Sequence, residues 1–153
     1  MISINVNKIN ADIRDIINAS AEMREKLVGE ETMDEVGLNA VTAIKARAGA
    51  GVDADGASFK PYSDSYSRLR ARKGLSTKPN LTRSGRMLSN ITTKFLKAGS
   101  ALIIFTKSEE ANKAAGNSYK RDFFDVRMSS EISRLNKILE ARVIAIAKRL
   151  GLM

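Results

Sequence analysis

The sequence contains no histidine, no cysteine and no tryptophan, and only two of its 153 residues are proline. Histidine is the commonest general base near neutral pH and the commonest metal ligand, so its absence argues against most catalytic and metal-binding arrangements. The lack of cysteine removes disulfides and thiolate metal sites, and it fits synthesis in a reducing cytosol. No apolar run approaches the roughly 20 residues that cross a bilayer. We therefore expect a protein that is not an enzyme, that binds no cofactor and no metal, and that has no membrane partner.

The charge is distributed unevenly along the chain. The net charge is +9, and residues 49–100 carry ten basic and three acidic side chains, whereas residues 1–48 carry six and eight. Eight of these ten basic residues lie in residues 51–91, here called the basic segment, which also holds both prolines and several glycines. A charged and irregular segment is more often used for contact than for packing. The length and composition otherwise fit one globular domain over residues 1–153.

Hydrophobic spacing predicts helices at both ends of the chain. Apolar residues three and four apart predict a first helix over residues 9–28, ended by Gly29. Thr32 and Glu35 have the spacing of a capping box, which predicts a second helix that ends near residue 48. A third apolar stripe predicts a C-terminal helix over residues 129–151, capped by Ser129 or Ser130. The residues predicted to share the inner face of the first helix are Ile9, Ile13, Ile16, Ile17, Ser20, Met23 and Leu27. Those of the last helix are Ile132, Leu135, Leu139, Val143, Ile146 and Leu150.

The middle of the chain predicts strands. Residues 91–96 and 101–106 are rich in β-branched and aromatic side chains and are separated by a short turn, which is typical of a β-hairpin. Phe123, Phe124 and Val126 predict a short strand or an aromatic anchor. The fold class is therefore α+β, with a small antiparallel sheet around a central hairpin. Its four parts are a helical N-terminal part (1–48), a long basic loop with short helices (49–90), a hairpin and short strand (91–128), and a long C-terminal helix (129–151).

Two patterns have the residue types of a metal site. The run from Asp53 to Gly56 has the acids of a calcium loop, but its glycine falls at the fourth position rather than the sixth, and we interpret it as a plain turn. Glu109, Glu110 and Lys113 could belong to a nuclease-type cluster. No spacing supports that cluster, and we interpret these acids as a solvated helix face.

An arginine-rich helix is predicted inside the basic segment. It begins after Ser63 or Asp64 and ends at Gly74, and its cationic residues surround it so that only Tyr66 and Leu69 face inward. A second short helix is predicted after Thr82 or Ser84, with Met87, Leu88 and Ile91 facing inward. The cationic surface fits either the phosphates of nucleic acid or an acidic protein partner. We favour the protein interface, because no helix-turn-helix or aromatic stacking platform is visible.

The order of these features resembles the virion-morphogenesis or tail-completion proteins of long-tailed bacteriophages, a group related to head–tail joining proteins. The resemblance covers about two-thirds of the chain, from Gly51 onward, and its most specific motif is Leu81–Ile91. The family often has His-x-Phe/Tyr-Gly and Pro-Arg-Pro-Phe after the hairpin, where this chain has residues 114–119 and Lys-Arg-Asp-Phe. The other matching segments are the Gly51–Gly56 turn, Phe59-Lys60-Pro61, the stretch from Ser65 to Lys73, and Lys120-Arg121-Asp122-Phe123-Phe124.

The resemblance implies a structural, non-catalytic virion protein that acts in tail completion or head–tail joining. It implies a homo-oligomeric ring, six-fold or twelve-fold, at the neck or tail end, made in the host cytoplasm and contacting other neck, connector or tail proteins. Such a ring surrounds the channel and allows non-specific contact with DNA. The alternative is a basic double-stranded-DNA-binding protein without catalytic activity. The interface residues predicted from charge and from the resemblance together are Arg68, Arg70, Arg72, Lys73, Arg83, Arg86, Phe123 and Phe124.

Overall fold

The computed structural model describes residues 6–153, with only the backbone of residues 6–14 and 16. Two long helices come first, a hairpin lies in the middle of the chain, and a third long helix ends it, which confirms the predicted α+β class. The elements are α1 (Val6–Val28), α2 (Glu30–Ala50), α3 (Asp64–Arg72), α4 (Arg86–Ser89), β1 (Ile91–Lys97), β2 (Ser100–Phe105), α5 (Ser108–Ser118) and α6 (Ser129–Arg149).

The break between α1 and α2 is a single residue, Gly29, at the predicted position. Gly29 is extended (φ −72°, ψ 172°), so α2 begins immediately after it at Glu30. The predicted capping box is therefore wrong, because Thr32 already lies inside the helix. Its hydroxyl donates to the carbonyl oxygen of Lys26 at 2.9 Å, and Glu35 pairs instead with Arg142 of α6.

Helix α2 ends two residues beyond the predicted position, at a glycine that the geometry requires. Gly51 adopts a left-handed conformation (φ 82°) and its N–H bonds to the carbonyl of Ala48. A Cβ atom at Gly51 would lie 2.3 Å from the carbonyl oxygen of Pro79. The end of α2 is therefore pressed against the loop of the basic segment.

The predicted hairpin is present and packs on α2. Ile91 pairs with Phe105 and Thr93 with Ile103 in an antiparallel register, and a bulge follows Phe95. Because side chains alternate along a strand, these paired residues share one face. Gly37 of α2 lies against that face, and a Cβ added to it would be 2.2 Å from the Thr93 hydroxyl oxygen. Helix and strand therefore approach closely where α2 has no side chain.

The core is assembled mainly from α2, α4 and the segment around Phe123. Phe123 is fully buried, so it is an anchor as predicted, but residues 119–128 form no strand, and that part of the prediction is wrong. The strand failed because this backbone gives its carbonyls to an arginine instead of to a sheet. The buried cluster comprises Val41, Ile44, Ala48, Phe59, Met87, Leu88, Ile91, Ala114 and Phe123.

Arg47 is that arginine, and it is buried near the C-terminus of α2. One guanidinium nitrogen donates to the carbonyl of Phe123 at 2.9 Å and to that of Asp125. The other donates to the carboxylate of Glu131 in the first turn of α6. A single side chain thus joins α2, the segment after α5 and the start of α6.

Two further arginines fasten the surrounding elements. Arg142 of α6 contacts Glu31 at 2.9 Å and also Glu35 of α2, and these hydrogen bonds, Glu35 first, raise the pKa of its guanidinium. Arg127 donates a hydrogen bond to Asp122, and this bond raises the pKa of the Arg127 guanidinium more than burial lowers it. Arg127 also pairs with Asp55 at 3.0 Å and with Asp125 at 2.9 Å. Both groups stay charged at any ordinary pH.

Residues 53–56 form the predicted turn. The Asp53 carboxylate accepts N–H bonds from Asp55 and Ala57, and Gly56 has φ 90°, which confirms the plain turn.

The predicted apolar stripes of the terminal helices pack only in part. On α6, Ile146 is buried but Ile132 is exposed, so the stripe packs along only part of the helix. On α1, Ile17 was predicted to face inward, but its side chain is 61% exposed. The side chains of Ile9, Ile13 and Ile16 lie outside the described residues.

The close approach at Gly37 gives a first prediction. Replacing Gly37 by alanine forces the added methyl group into Thr93, and we expect the free energy of unfolding to fall by about 1–3 kcal/mol from overpacking. Gly49 lies in the same helix with nothing within 4 Å of an added Cβ. Gly49→Ala should instead stabilise by about 0.5–1 kcal/mol, because alanine favours the helix. Urea unfolding of both variants checks this, and equal effects at the two positions would contradict it.

Arg47 gives a second prediction. Arg47→Met leaves the Glu131 carboxylate and two carbonyls without their donor, and we expect a loss of about 3–5 kcal/mol. Lys45→Met, in the same helix, removes a cation that forms no ion pair among the described residues and should change stability by no more than about 0.5 kcal/mol. Chemical denaturation of both variants is the measurement. A loss below 1 kcal/mol for Arg47→Met would show that the site collapses around the gap.

Candidate functional site

A groove of about 830 Å³ lies between the loop at Pro61, helix α3, the turn before α4 and helix α5. We call it the basic groove, because five of its lining side chains are cationic and one is acidic. Two tyrosines and Ser84 add hydroxyl groups to its walls. The cationic residues are Arg70, Arg83, Lys113, Lys120 and Arg121, the acid is Glu110, and the tyrosines are Tyr62 and Tyr66.

One wall is a stack of tyrosines and guanidinium groups. The Cζ atoms of Arg70 and Arg121 lie 4.9 and 5.1 Å from the ring centroid of Tyr62. Tyr66 meets Tyr62 edge-on with centroids 5.0 Å apart. The quadrupole of an aromatic ring attracts a cation over its face, so this stack holds α3 against the segment after α5. The groove thereby has a fixed wall made from distant parts of the chain.

Arg70 was predicted to be an interface residue, but it is buried. It is only 3% exposed, and its Nε donates to the carbonyl of Ser76 at 2.6 Å, whereas Leu69 is 44% exposed. Arginine can face inward when its planar group stacks on rings and its N–H groups find acceptors. Tyr62, Tyr66 and Arg70 are each four residues apart, which places the latter two on one face of α3. That spacing was the signal that the sequence prediction overlooked.

The other predicted cationic residues are on the surface. Arg68, Arg72, Lys73, Arg83 and Arg86 are all exposed. Throughout the part of the chain that the structure describes, none of them forms an ion pair. These five cations therefore face solvent with no ion pair from the described residues, although the exposed Asp64 lies in the first turn of α3, and such a surface favours an anionic partner.

The two predicted aromatic interface residues lie inside the protein. Phe123 has 0% exposure and belongs to the core, so it is unavailable to a partner. Phe124 is half-buried, and its ring stacks with that of Phe105 at 4.9 Å. A pair of adjacent phenylalanines after a helix is as compatible with a core as with an interface, and here burial decides for the core.

The Leu81–Ile91 motif is built so that apolar and cationic residues separate. Met87, Leu88 and Ile91 are buried, while Arg83 and Arg86 point outward as exposed residues. The predicted cap at Thr82 or Ser84 is wrong, because Gly85 is the N-cap of α4 in a left-handed conformation (φ 71°). Leu81 also has a positive φ of 53°. The buried residues of the one-turn helix α4 thus fix the position of the two exposed arginines at and just before its start.

Helix α5 contributes residues that the sequence prediction assigned to solvent. Glu110 is 3% exposed rather than solvated, and one carboxylate oxygen accepts from Lys113 at 2.7 Å. Its other oxygen and the Nε of Arg121 are buried without a hydrogen-bond partner among the described atoms. Unsatisfied buried polar atoms are rare in native proteins, and these two lie beneath the surface of the groove. Lys120 and Arg121 were missed because only the fold brings them to α3.

Within the described residues, no group of three or more acidic side chains has an arrangement that could hold a metal ion. Glu109 is exposed and Glu110 is paired with Lys113, and the three aspartates that do gather, Asp55, Asp122 and Asp125, surround the guanidinium of Arg127. None of the helices in residues 6–153 is long and apolar enough to cross a bilayer.

The buried position of Arg70 gives a third prediction. Arg70→Ala removes the stack on Tyr62 and leaves the Ser76 carbonyl without its donor, so we expect a loss of about 2–3 kcal/mol. Arg68→Ala, two residues earlier and exposed, should stay within about 0.5 kcal/mol of the wild type. Thermal unfolding followed by circular dichroism distinguishes them. If both variants unfold together with the wild type, Arg70 does not support the groove.

No family model, curated protein or solved structure matches this chain. The features that bear on its function are the basic groove, the exposed arginines beside the groove, and the Leu81–Ile91 motif that contains Arg83 and Arg86.

Proposed function

We propose that this chain is a structural, non-catalytic virion protein of a long-tailed bacteriophage. It acts in tail completion or head–tail joining and assembles as a ring at the neck or tail end. The observation that carries the proposal is the Leu81–Ile91 motif. The motif that most resembles the phage family is also the one that holds Arg83 and Arg86 exposed and unpaired beside the basic groove.

The exposed cationic surface is electrostatically unfavourable in the isolated protein. Exposed cations of the same sign repel one another, and the one acid of α3, Asp64 in its first turn, forms no ion pair with them in the described structure. An anionic partner removes the repulsion when it binds. Arginine suits this role because its planar guanidinium forms two parallel hydrogen bonds to a carboxylate and tolerates partial burial.

The proposal of a non-catalytic role has separate support in the side-chain inventory. The sequence offers no histidine to act as base and no cysteine to act as nucleophile. Ser84 lies in the groove next to Arg83, with no histidine anywhere in the chain to accept its proton. Glu110, the one acid in the groove, is paired with Lys113. These residues recognise a partner more readily than they transform one.

The fourth prediction tests the role in the virion. Reversing both charges in the phage, Arg83→Glu with Arg86→Glu, should leave heads and tails unjoined or tails incomplete in negative-stain images. The titre of infectious particles should fall accordingly, because two attractive contacts become repulsive in every subunit. Lys137→Glu on the exposed surface of α6 is the matched control and should give normal particles. Normal infectious virions from the Arg83/Arg86 variant would overturn the proposal.

The alternative of a double-stranded-DNA-binding protein predicts a different result from the same variant. Duplex affinity would fall steeply with salt, and each lost phosphate contact would reduce the logarithmic slope by about 0.9. Gel-shift titrations of wild type and of the Arg83/Arg86 variant at several salt concentrations measure that slope. A slope reduced by about two contacts, together with normal particle assembly, would favour the DNA-binding alternative.

A further inference from the structure

We infer that the basic groove receives the acidic junction between α1 and α2 of a second copy of this chain, in a head-to-tail contact. The acidic junction is defined as residues 22–35. This inference rests on the proposed self-assembly and specifies which two surfaces make it.

The acidic junction has unpaired carboxylates. Residues 22–35 contain six acidic and two basic side chains. Lys26 is occupied by Glu22 at 2.6 Å, and Arg142 of α6 is occupied by Glu31 and Glu35. Three acids therefore have no ion pair within the described structure, namely Glu25, Glu30 and Asp34. Glu25 and Glu30 are exposed and line a second cleft of about 500 Å³, together with Glu22 and Glu31 and with the cations Lys26, Arg142 and Arg149.

The two surfaces lie at opposite ends of the molecule. At the tip of the hairpin, the N–H of Gly99 bonds to the carbonyl of Val28 in the junction at 2.7 Å. At its base, the N–H of Thr106 bonds to the carbonyl of Asn90, beside α4 and the groove, at 2.9 Å. The seven residues of β1 between them span about 20 Å. At physiological salt, charges interact over about 8 Å, so the two surfaces cannot neutralise each other within one chain.

Unlike charges at opposite ends favour a heterologous contact over a symmetric dimer. A two-fold dimer through the groove would bring two cationic surfaces together, and one through the junction would bring two anionic surfaces together. Groove against junction pairs opposite charges, and each new copy exposes the same two ends again. Repetition of such a contact closes into a ring when the rotation allows it.

The fifth prediction uses two variants that each destroy one surface. The groove variant is Arg83→Glu with Lys120→Glu, and the junction variant is Glu25→Lys with Glu30→Lys. Each variant alone should have a self-association constant weakened by about tenfold or more, because charge reversal makes its contact repulsive. An equimolar mixture should associate again, because the intact junction of one variant meets the intact groove of the other, and the two reversed surfaces also carry opposite charges. Sedimentation velocity at low and high salt measures both results.

Three controls make the outcome decisive. Lys137→Glu should associate like the wild type, and circular dichroism should show that all variants are folded. A chain that carries all four reversals should recover self-association, because each end has exchanged its sign. If the wild type associates but the mixed variants stay monomeric, this contact is wrong and the proposed ring uses other surfaces. If the wild type stays monomeric at every concentration, the contact is also overturned, while the particle images of the Arg83/Arg86 variant still judge the virion role separately.

Discussion

The buried guanidinium of Arg47 is the interaction on which the rest of the structure depends. Burying a charge is costly unless acceptors surround it, and here a carboxylate and two backbone carbonyls do so. Because the carbonyl of Phe123 is held by Arg47, the Phe123 ring enters the core at a fixed point. Arg121, two residues earlier, is then placed against Tyr62 and forms part of the groove wall. The surface that we propose for assembly is therefore positioned by a contact in the interior.

Two groups of arginines in the described residues have different physical roles. Arg47, Arg127 and Arg142 use up the acids Glu131, Asp55, Asp122, Asp125, Glu31 and Glu35 in internal pairs. Those pairs consume much of the negative charge that could have neutralised the surface. The exposed arginines of α3 and α4 form no ion pairs in the described structure. The surface is therefore basic because the acids pair elsewhere in the protein, as well as because arginines are numerous.

The sequence predicted the elements whose signal is local. The apolar spacing of α2 and α6, the break at Gly29 and the hairpin at residues 91–106 are each set by neighbouring residues, and all are present. The failures have tertiary causes. Thr32 and Glu35 matched a capping box, but Gly29 starts the helix earlier. Arg70 faces inward because two tyrosines and a distant carbonyl receive it, and the groove needs Lys120 and Arg121, which only the fold brings to α3. Periodicity describes one element, whereas a site made from four elements has no local signature.

A ring needs a directional contact, and a directional contact needs two unlike surfaces held at a fixed separation. The hairpin and α2 provide that separation here, because both run between the acidic junction and the basic groove. Their packing is close at Gly37, where no side chain of α2 separates the helix from Thr93, so the spacer resists bending. A rigid spacer also lowers the entropy lost when subunits associate. In a head-to-tail assembly of this chain, the charges would thus select the partner surface, while the α2–hairpin packing would set the angle between successive subunits and with it the number that closes a ring.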